Sequence, residues 1–411
     1  MIRSSGRLSV LALMLPVILL VGCPPDYDTL GEGANYSERL VCGEGNQTVL
    51  LVIDPNIPSR VQLSLNIFED NLCAAGYSVV EQLAPLANPV EVRNWLAGAL
   101  GDYTGVVGAI LIGDIPYAYQ FYVAQSSNPS IPPEELESIS YQFYADLDGT
   151  FAKSPGYVSP GGHTYSYDVH SGNVDWEIWI GVLPFYQGDY EATADVLIDY
   201  FMRNHMHRAA SRKQPFVFME IDEHSHATTM TEHNSIVDIH RTGTYAWTPF
   251  SSDPHALLYF DSPPAGLTVA QGYAAMSAGA ADFTVASTHG SGQIDTTWAL
   301  NNPIDTAFFW SNGCEVANLD YPDNFLTAML YSPHSEIVVA QGATNNAGGL
   351  GTNTDGFFGH NIATSLSGGA SLGQAVLNHV NTPLIWPWSD DREFHFAPIL
   401  VLGDPTLTTH P

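Results

Sequence analysis

The chain contains the apolar run Val106-Val107-Gly108-Ala109-Ile110-Leu111-Ile112, which follows a helical pattern at residues 90–100. The same order of elements precedes it, with a short apolar run at 48–53 and helical spacing at 60–75. A loop-rich stretch rich in Pro, Ser, Gly and Tyr follows at 113–175. Strands that alternate with helices predict a parallel sheet covered by helices on both faces.

A second alternating block begins near Pro215, after a cluster of basic residues. It contains short apolar strands at 283–287, 307–311 and 337–340, helical patterns at 356–366 and 372–380, and a closing strand at 399–402. We therefore predict an α/β protein with two lobes, each a mainly parallel sheet flanked by helices. The predicted organisation is a signal segment at 1–22, a tether at 23–42, an N-terminal lobe at 43–210 and a second lobe at 211–411.

The charge balance of the chain limits its partners. Of 411 residues, 12 are Lys or Arg and 43 are Asp or Glu, which gives a formal net charge of −31. Phosphate binding needs clustered cations, so this balance excludes nucleic acid as a natural partner. It also argues against docking onto an anionic lipid surface through a polybasic patch. Hydrophobic residues make up 45% of the chain, which excludes a disordered acidic protein.

The N-terminus has the features of an export signal. Arg3 and Arg7 precede a mostly apolar run at 8–21, which is shorter than the roughly 20 apolar residues of a membrane-spanning helix. The run ends in Leu20-Val21-Gly22-Cys23, which resembles a bacterial lipoprotein signal in which Cys23 becomes lipid-modified. The alternative is an ordinary signal peptide with a chance cysteine. Because Pro24 follows instead of an inner-membrane retention Asp, we expect a lipid anchor in the outer membrane or at the cell surface.

Three cysteines remain after Cys23. In an oxidising compartment, paired thiols tend to close into disulfides. Cys42 precedes the first predicted strand and Cys73 ends the following helix, so we predict a bridge between them. That bridge leaves Cys314 as a free thiol, and a free thiol outside the cytoplasm is exposed to oxidation unless it has a chemical role.

Two apolar strands of the second block are followed by reactive side chains. The strand at 283–287 leads into Thr288-His289-Gly290, and the strand at 307–310 leads into Ser311-Asn312-Gly313-Cys314. On neighbouring parallel strands, this His and Cys project from one sheet edge, where the imidazole favours the thiolate and can protonate a leaving amine. The N–H groups near Gly290 can hold an oxyanion. The alternative interpretation is a buried apolar cysteine and an unrelated His-Gly pair.

Four further segments extend this pattern. They are Ile110-Leu111-Ile112-Gly113-Asp114-Ile115-Pro116, Tyr144-Ala145-Asp146-Leu147-Asp148-Gly149, Trp176-Glu177-Ile178-Trp179-Ile180-Gly181-Val182-Leu183-Pro184 and Val401-Leu402-Gly403-Asp404-Pro405-Thr406-Leu407. With the His-Gly and Cys pair, in this order, they resemble the gingipain-type cysteine peptidases (peptidase family C25) of the caspase-like clan CD. The ordered matches run from residue 110 to residue 407.

The resemblance implies two caspase-like, Rossmann-like lobes, with catalysis in the second, and cysteine endopeptidase activity on protein or peptide substrates. It implies Cys314 as the nucleophile, His289 as its proton-transfer partner and Glu177 as the acid that orients the histidine. The N–H groups of Gly290 and Cys314 form the implied oxyanion hole. A carboxylate behind an imidazole fixes its tautomer and raises its basicity. The alternative for Glu177 is an exposed acid at a strand end.

One departure from the family bears on substrate specificity. Val182 stands where the family usually has Arg, so cleavage after basic residues is not implied. Asp295, just after the His-Gly pair, is a candidate acid for a pocket that would accept a basic side chain. Asp114 and Asp404 follow strand ends at glycines, and we expect them to make turn and helix-start hydrogen bonds.

An acidic turn has some character of a calcium site. Asp146, Asp148 and Gly149 show the alternating acids of a calcium loop, although the EF-hand pattern is absent. Some members of the resembled family bind calcium, which keeps this ion as a candidate. The alternative is a solvated acidic turn. The predicted reaction itself requires no cofactor.

A histidine-rich stretch offers a different metal site. His224 and His226 can share one face of a strand, with Glu220 or His233 completing a zinc site. The alternative is a histidine-rich surface loop.

The sequence therefore favours an extracytoplasmic cysteine endopeptidase anchored by lipid. A rival from another class is a catalytically silent gingipain-like surface lipoprotein with a binding or assembly role. A third hypothesis is a metal-dependent hydrolase built on the histidine-rich stretch.

Overall fold

The computed structural model describes residues 38–43, 45–82, 86–124, 134–209, 218–222, 257–258, 274, 276–278, 283–287, 296–311, 315–321, 324–344, 362, 365–366, 368–382 and 399–408. These residues belong to one compact unit, Ser37–Pro411. Among the helices in these ranges, none has the length and apolar character needed to cross a bilayer.

The described residues form 16 strands and seven α-helices. The strands are β1 Glu38–Cys42, β2 Gln47–Ile53, β3 Tyr77–Gln82, β4 Val106–Gly113, β5 Tyr119–Ala124, β6 Glu134–Ile139, β7 Thr150–Ala152, β8 Ser166–Tyr167, β9 Val169–Ser171, β10 Trp179–Pro184, β11 Phe218–Asp222, β12 Leu257–Leu258, β13 Phe283–Ser287, β14 Phe308–Ser311, β15 Val339–Ala343 and β16 Ile399–Gly403. The helices are α1 Gln62–Ala74, α2 Pro89–Asp102, α3 Gln142–Ala145, α4 Tyr190–Ala209, α5 Thr296–Asn301, α6 Phe325–Tyr331 and α7 Leu372–Asn381.

Eleven strands form one sheet in the order β1-β3-β2-β4-β10-β16-β15-β14-β13-β11-β12. The strands from β3 to β16 are mutually parallel, and β1 is antiparallel at their outer edge. The strands from β15 to β12 are also mutually parallel. Because β15 and β16 are antiparallel, the two parallel blocks run in opposite directions.

The register across the β15–β16 pair shows which strand ends lie at the same edge of the sheet. One row of paired residues runs through Gly181, Val401, Gln341, Trp310 and Val285. Along this row β10 and β16 run in one direction, and β15, β14 and β13 run in the other. The start of β10 and the carboxyl ends of β13 and β14 therefore lie along one edge of the sheet, which we call the carboxyl edge.

The mixed α/β architecture with a mainly parallel sheet and flanking helices is confirmed. Strands from both predicted lobes share one sheet, because β10 pairs with β16. The division into two lobes stays a prediction, and residues 210–217 at its boundary lie outside the described residues. Residues 113–175 hold more structure than predicted, namely the sheet β6-β5-β8, the pair β7-β9 and α3. These short elements have no long apolar periodicity that would reveal them in the sequence.

The core of the sheet explains the glycine in the apolar run of β4. Val49–Val52 of β2 and Ala109–Ile112 of β4 are buried. The Trp179 ring of β10 lies directly over Gly108, where an added Cβ would be only 2.0 Å from the ring. A side chain at this position would displace the large buried indole.

The edge strand β1 is fastened to the rest of the protein by covalent and polar contacts. Cys42 and Cys73 form a disulfide that joins β1 to the end of α1, which is the pairing that the sequence predicted. Glu38 accepts hydrogen bonds from Trp95 Nε1 and from the Tyr103 hydroxyl, each at 2.7 Å. These contacts secure a strand that pairs with only one neighbour.

Arg39 of β1 also bridges two buried carboxyl groups. Its guanidinium lies 3.0 Å from Glu69 of α1 and 2.5 Å from Glu81 of β3. Burial and the neighbouring Glu81 raise the pKa of Glu69 to about 9, and the Arg39 charge opposes that shift. The raised pKa of Glu69 and the Arg39 charge both limit the repulsion between the two acids at this buried site.

Asp404 follows β16 and ties the C-terminal turn to α4. It is fully buried and accepts hydrogen bonds from Asn204 Nδ2 at 2.9 Å, Arg208 Nη2 at 2.5 Å and the Thr406 N–H at 3.0 Å. Burial acts to raise the pKa of this carboxyl, but the Arg208 charge and the hydrogen bonds outweigh it and hold the pKa below its ordinary value. The hydrogen bond from the Thr406 N–H agrees with the turn predicted for Asp404 from the sequence. The hydrogen bonds from Asn204 and Arg208 of α4 were not predicted.

Replacing both Cys42 and Cys73 by Ser should lower the free energy of unfolding by about 3–4 kcal/mol, because the bridge restricts the unfolded chain. The two cysteines are 31 residues apart in the sequence. Urea unfolding of C42S/C73S against the oxidised wild type measures this change. Wild type treated with reductant is the matched control and should unfold like the variant. Equal midpoints for the variant and the oxidised wild type would contradict the prediction.

Asp404→Asn should lower the free energy of unfolding at pH 7 by about 3 kcal/mol, because the partly buried Arg208 loses its counter-charge. A depressed pKa stabilises the fold above the unfolded-state value of about 3.9, and this contribution is lost as pH falls through the folded-state pKa. The difference between variant and wild type in urea should therefore shrink on acidification below pH 4. Asp102→Asn, at an exposed position, is the control. A difference that does not change with pH would contradict this account.

Candidate active site

Glu177 lies just before β10, at the carboxyl edge of the sheet. Its own N–H donates to the Ala145 carbonyl at 2.9 Å, which joins it to the end of α3. The preceding Trp176 exchanges two hydrogen bonds of 2.8 Å with the side chain of Asn381 at the end of α7. The backbone that carries Glu177 is therefore fixed on both sides.

The Glu177 carboxylate binds the backbone of the acidic turn at residues 146–149. Its Oε2 atom accepts hydrogen bonds from the Leu147 N–H at 2.5 Å and the Asp148 N–H at 3.4 Å. Burial raises the pKa of Glu177 above its ordinary value, the Leu147 N–H opposes this shift, and the charges of Asp148 and Asp146 add to it. The acidic turn and the segment at 176–184, two of the four quoted sequence motifs, are thus in direct contact.

Asp146 organises the acidic turn from inside the protein. Its Oδ1 atom accepts the Gly149 N–H at 2.6 Å, and its Oδ2 atom lies 2.6 Å from His170 Nε2. Both side chains of the Asp146–His170 pair are fully buried. A Cβ at position 149 would lie 2.3 Å from an Asp146 oxygen, so only glycine fits there.

Arg93 of α2 binds the backbone of the same turn. Its Nη2 atom donates to the carbonyl oxygens of Asp146 at 2.9 Å and Gly149 at 2.7 Å. The guanidinium carbon lies 5.3 Å from the ring centres of Phe143 and Phe151. Burial lowers the pKa of Arg93, and the nearby carboxylates oppose that shift. Because an arginine side chain stays charged in proteins, Arg93 offsets part of the negative charge around the turn.

Three carboxylates converge at this turn. One oxygen from each of Asp146, Asp148 and Glu177 lies within 4.8 Å of the others. Asp146 is buried, Asp148 is exposed and Glu177 is half-buried, so the cluster reaches from the interior to solvent. Carboxylate oxygens are the donors that calcium prefers, and this donor set fits a hard cation.

The segment at 315–321 is the first described chain after Cys314. Glu315 has a φ of 57°, which is uncommon for a residue other than glycine. The Ala317 N–H donates to the Ala343 carbonyl at the end of β15 at 2.9 Å. Asp320 accepts a hydrogen bond from the Tyr119 hydroxyl at 2.7 Å. This segment is therefore held both by the main sheet and by the insertion at 114–178.

The structure brings together some of the predicted site residues. It joins Glu177 to the turn of Asp146 and Asp148, and it shows β13 and β14 as adjacent parallel strands, with Ala286 paired to Ser311. The other predicted residues lie outside the described residues. These are Cys23, His224, His226, His233, His289, Gly290, Asp295 and Cys314. The backbone of Glu220 is described within β11.

The sequence gives no signal for Arg93 or His170, although both hold the acidic turn. A lone Arg in a helix and a lone His in a loop belong to no recognisable spacing. Their partners are 53 and 24 residues away in the sequence. Only an alignment of related sequences or the folded chain can reveal such contacts.

Comparison with known proteins supports a protease-like fold. No family model and no curated protein matches the sequence. The chain is similar to a solved structure described as "Structure of Protease", with a TM-score of 0.59 and 12% sequence identity. The similarity covers 88% of this chain and 78% of that chain. At this identity it establishes a likeness of fold alone.

Proposed function

We propose that this protein is an extracytoplasmic cysteine endopeptidase with Cys314 as nucleophile and His289 as proton-transfer partner. The observation that carries the proposal is the pairing of β13 and β14 as parallel neighbours that end at the same edge. His289 is two residues beyond β13 and Cys314 is three residues beyond β14. Adjacent strands are about 5 Å apart, which suits a thiol and an imidazole that must exchange a proton.

The proposed reaction proceeds through a thioester. The Cys314 thiolate attacks the peptide carbonyl, and the N–H groups of Gly290 and Cys314 stabilise the oxyanion that forms. His289 then protonates the leaving amine, and the carbon–nitrogen bond breaks. A water molecule, deprotonated by His289, attacks the thioester and releases the carboxylic acid and the thiol.

Two observations support this proposal further. Glu315 adopts a left-handed backbone immediately after the proposed nucleophile, and such outliers cluster at active sites. The fold is similar to that of a solved protease over 88% of this chain. We extend the proposal to the gingipain-type family and to two caspase-like lobes, on the ordered sequence motifs described above.

Glu177 is the proposed orienting acid for His289. It lies at the same sheet edge as the ends of β13 and β14, but four strand intervals, about 19 Å, separate β10 from β13. A direct contact between Glu177 and His289 would have to span this distance. The carboxylate also binds the acidic turn, which gives Glu177 a second function in the fold.

We also propose a lipid anchor at Cys23 and a location at the outer membrane or cell surface. The disulfide between Cys42 and Cys73 is consistent with an oxidising compartment. The substrates would be proteins or peptides outside the cytoplasm.

The carboxylate cluster supports calcium binding as a second proposed property. Asp146, Asp148 and Glu177 would hold the ion, which would neutralise their mutual repulsion and stiffen the turn. This ion would have a structural role, because the proposed thiol chemistry needs no metal.

The main rival remains a catalytically silent relative that binds partners at the surface. A zinc hydrolase at the histidine-rich stretch is a third possibility with a different response to reagents. The peptidase should lose activity on alkylation, the zinc enzyme on chelation, and the silent relative should cleave nothing.

Cys314→Ala should reduce cleavage of casein by at least about 1,000-fold, because no other group replaces the thiolate in forming the thioester. The test uses the soluble protein from residue 24, with cleavage followed by mass spectrometry. Iodoacetamide should modify Cys314 first and inactivate wild type to the same extent.

The disulfide-free C42S/C73S protein is the matched cysteine control and should keep activity at temperatures where it is folded. Unchanged cleavage by Cys314→Ala would overturn the proposal. Inhibition by a zinc chelator without an effect of iodoacetamide would favour the metal hydrolase.

Calcium at 100 times its dissociation constant should stabilise wild type by about 2.7 kcal/mol, because the ion binds the folded turn. A calcium-dependent rise in Tm measures this effect. Asp148→Asn should remove the response, whereas Asp102→Asn should retain it. No response of wild type to millimolar calcium would contradict the prediction.

Glu177→Gln separates the two functions of that residue. Without calcium, a fall in kcat/KM in Glu177→Gln but not in Asp148→Asn would support a role of Glu177 at His289. Equal activity of both variants would limit Glu177 to the acidic turn.

A further inference from the structure

The segment at 315–321 directly follows Cys314 in the sequence and is held by several hydrogen bonds. Its turns are closed by hydrogen bonds from the Asn318 N–H to the Glu315 carbonyl at 3.1 Å and from the Tyr321 N–H to the Asn318 carbonyl at 3.2 Å. The Asp320 N–H also donates to Asn318 Oδ1 at 3.0 Å. These hydrogen bonds link Asp320 through Asn318 to Glu315, which follows Cys314 in the sequence.

Tyr119 reaches this segment from the start of β5, 201 residues away in the sequence. Its hydroxyl donates to Asp320 Oδ1 at 2.7 Å. Its ring stacks on His163, with ring centres 3.5 Å apart and planes 10° apart. The His163 Nε2 atom lies 3.9 Å from Glu137 of β6. The tyrosine is thus held by ring stacking as well as by its hydroxyl group.

The Tyr119 hydroxyl is a donor at every physiological pH. Burial and the hydrogen bond to Asp320 raise the pKa of Tyr119 above its ordinary value. Asp320 is exposed, so water competes for its oxygens and the rigid placement of the ring gives the contact its strength.

A second contact fixes the neighbouring strand end to the same insertion. Thr344, directly after β15, donates its hydroxyl hydrogen to the Ile139 carbonyl at 2.8 Å. Ala343, one residue earlier, accepts the Ala317 N–H of the segment at 315–321. The insertion therefore holds this segment directly through Tyr119 and indirectly through the end of β15.

We infer that Tyr119 and Asp320 are positioning residues that hold Cys314 in register with its proton-transfer partner. This inference rests on the proposed peptidase function. Neither residue need touch the substrate, because both act through the backbone that follows the nucleophile. Small displacements of a reacting group can cost up to about 100-fold in rate, so a single hydrogen bond at this place can control turnover.

The test compares variants that remove the contact with variants that keep it. Tyr119→Phe removes the hydroxyl and keeps the ring on His163, and Asp320→Ala removes the acceptor. Asp320→Asn keeps an acceptor oxygen and should behave like wild type. Tyr157→Phe is the matched control, because its hydroxyl bonds Ser166 and Glu137 within the insertion.

Two readouts separate positioning from general destabilisation. Tyr119→Phe and Asp320→Ala should each lower kcat for peptide cleavage about 10-fold, with KM changed less than twofold. In both variants the pH midpoint for iodoacetamide alkylation of Cys314 should move upward, toward the ordinary thiol value of about 8.5. The double variant should be no worse than either single variant, because both remove one contact.

The outcomes distinguish this inference from the proposed function. If wild type cleaves peptides but Tyr119→Phe gives the same two readouts as Tyr157→Phe, the positioning role alone is overturned. Wild type could also cleave no peptide while the variants still show a shifted midpoint for Cys314 alkylation. This result would overturn the peptidase function and keep the coupling between Tyr119, Asp320 and Cys314. Asp320→Asn as defective as Asp320→Ala would also contradict the hydrogen bond as the cause.

Discussion

The antiparallel pairing of β15 with β16 is the constraint on which the arrangement of the molecule depends. It joins two parallel blocks of opposite direction, so their carboxyl ends lie at opposite edges of the sheet. Because of this reversal, the start of β10 lies at the same edge of the sheet as the ends of β13 and β14. If both blocks ran in one direction, Glu177 and the acidic turn would lie at the opposite edge of the sheet from the carboxyl ends of β13 and β14.

The insertion between β4 and β10 uses this edge. It places the acidic turn, the Tyr119 hydroxyl and the Ile139 carbonyl against groups at the carboxyl edge. The contacts with Asp320 and Thr344 cross more than 200 residues of sequence. A region from the N-terminal half thereby helps to shape the surroundings of chemistry proposed for the C-terminal half.

The polar groups in contact with the acidic turn show how an acidic protein keeps carboxylates close together. Asp146 is hydrogen-bonded to His170 and to the N–H of Gly149, and Arg93 holds the backbone around it. Glu177 is held by backbone N–H groups instead of a cation. In the Glu69–Glu81 pair, by contrast, Arg39 and the raised pKa of Glu69 limit the repulsion. Each cluster thus has its own means of offsetting negative charge in a chain of net charge −31.

The sequence by itself determined the α/β class, most of the long elements, the Cys42–Cys73 pairing and the turn at Asp404, because apolar periodicity, cysteine spacing and Gly-Asp turns are local signals. It also singled out Glu177, Asp146 and Asp148, but not their mutual contact. Only the tertiary structure decided that one sheet carries both blocks, that β16 enters between β10 and β15, and that Arg93, His170 and Tyr119 serve the carboxyl edge. Those facts depend on strand order and on contacts between residues distant in the chain, and the spacing of residue types does not encode either one.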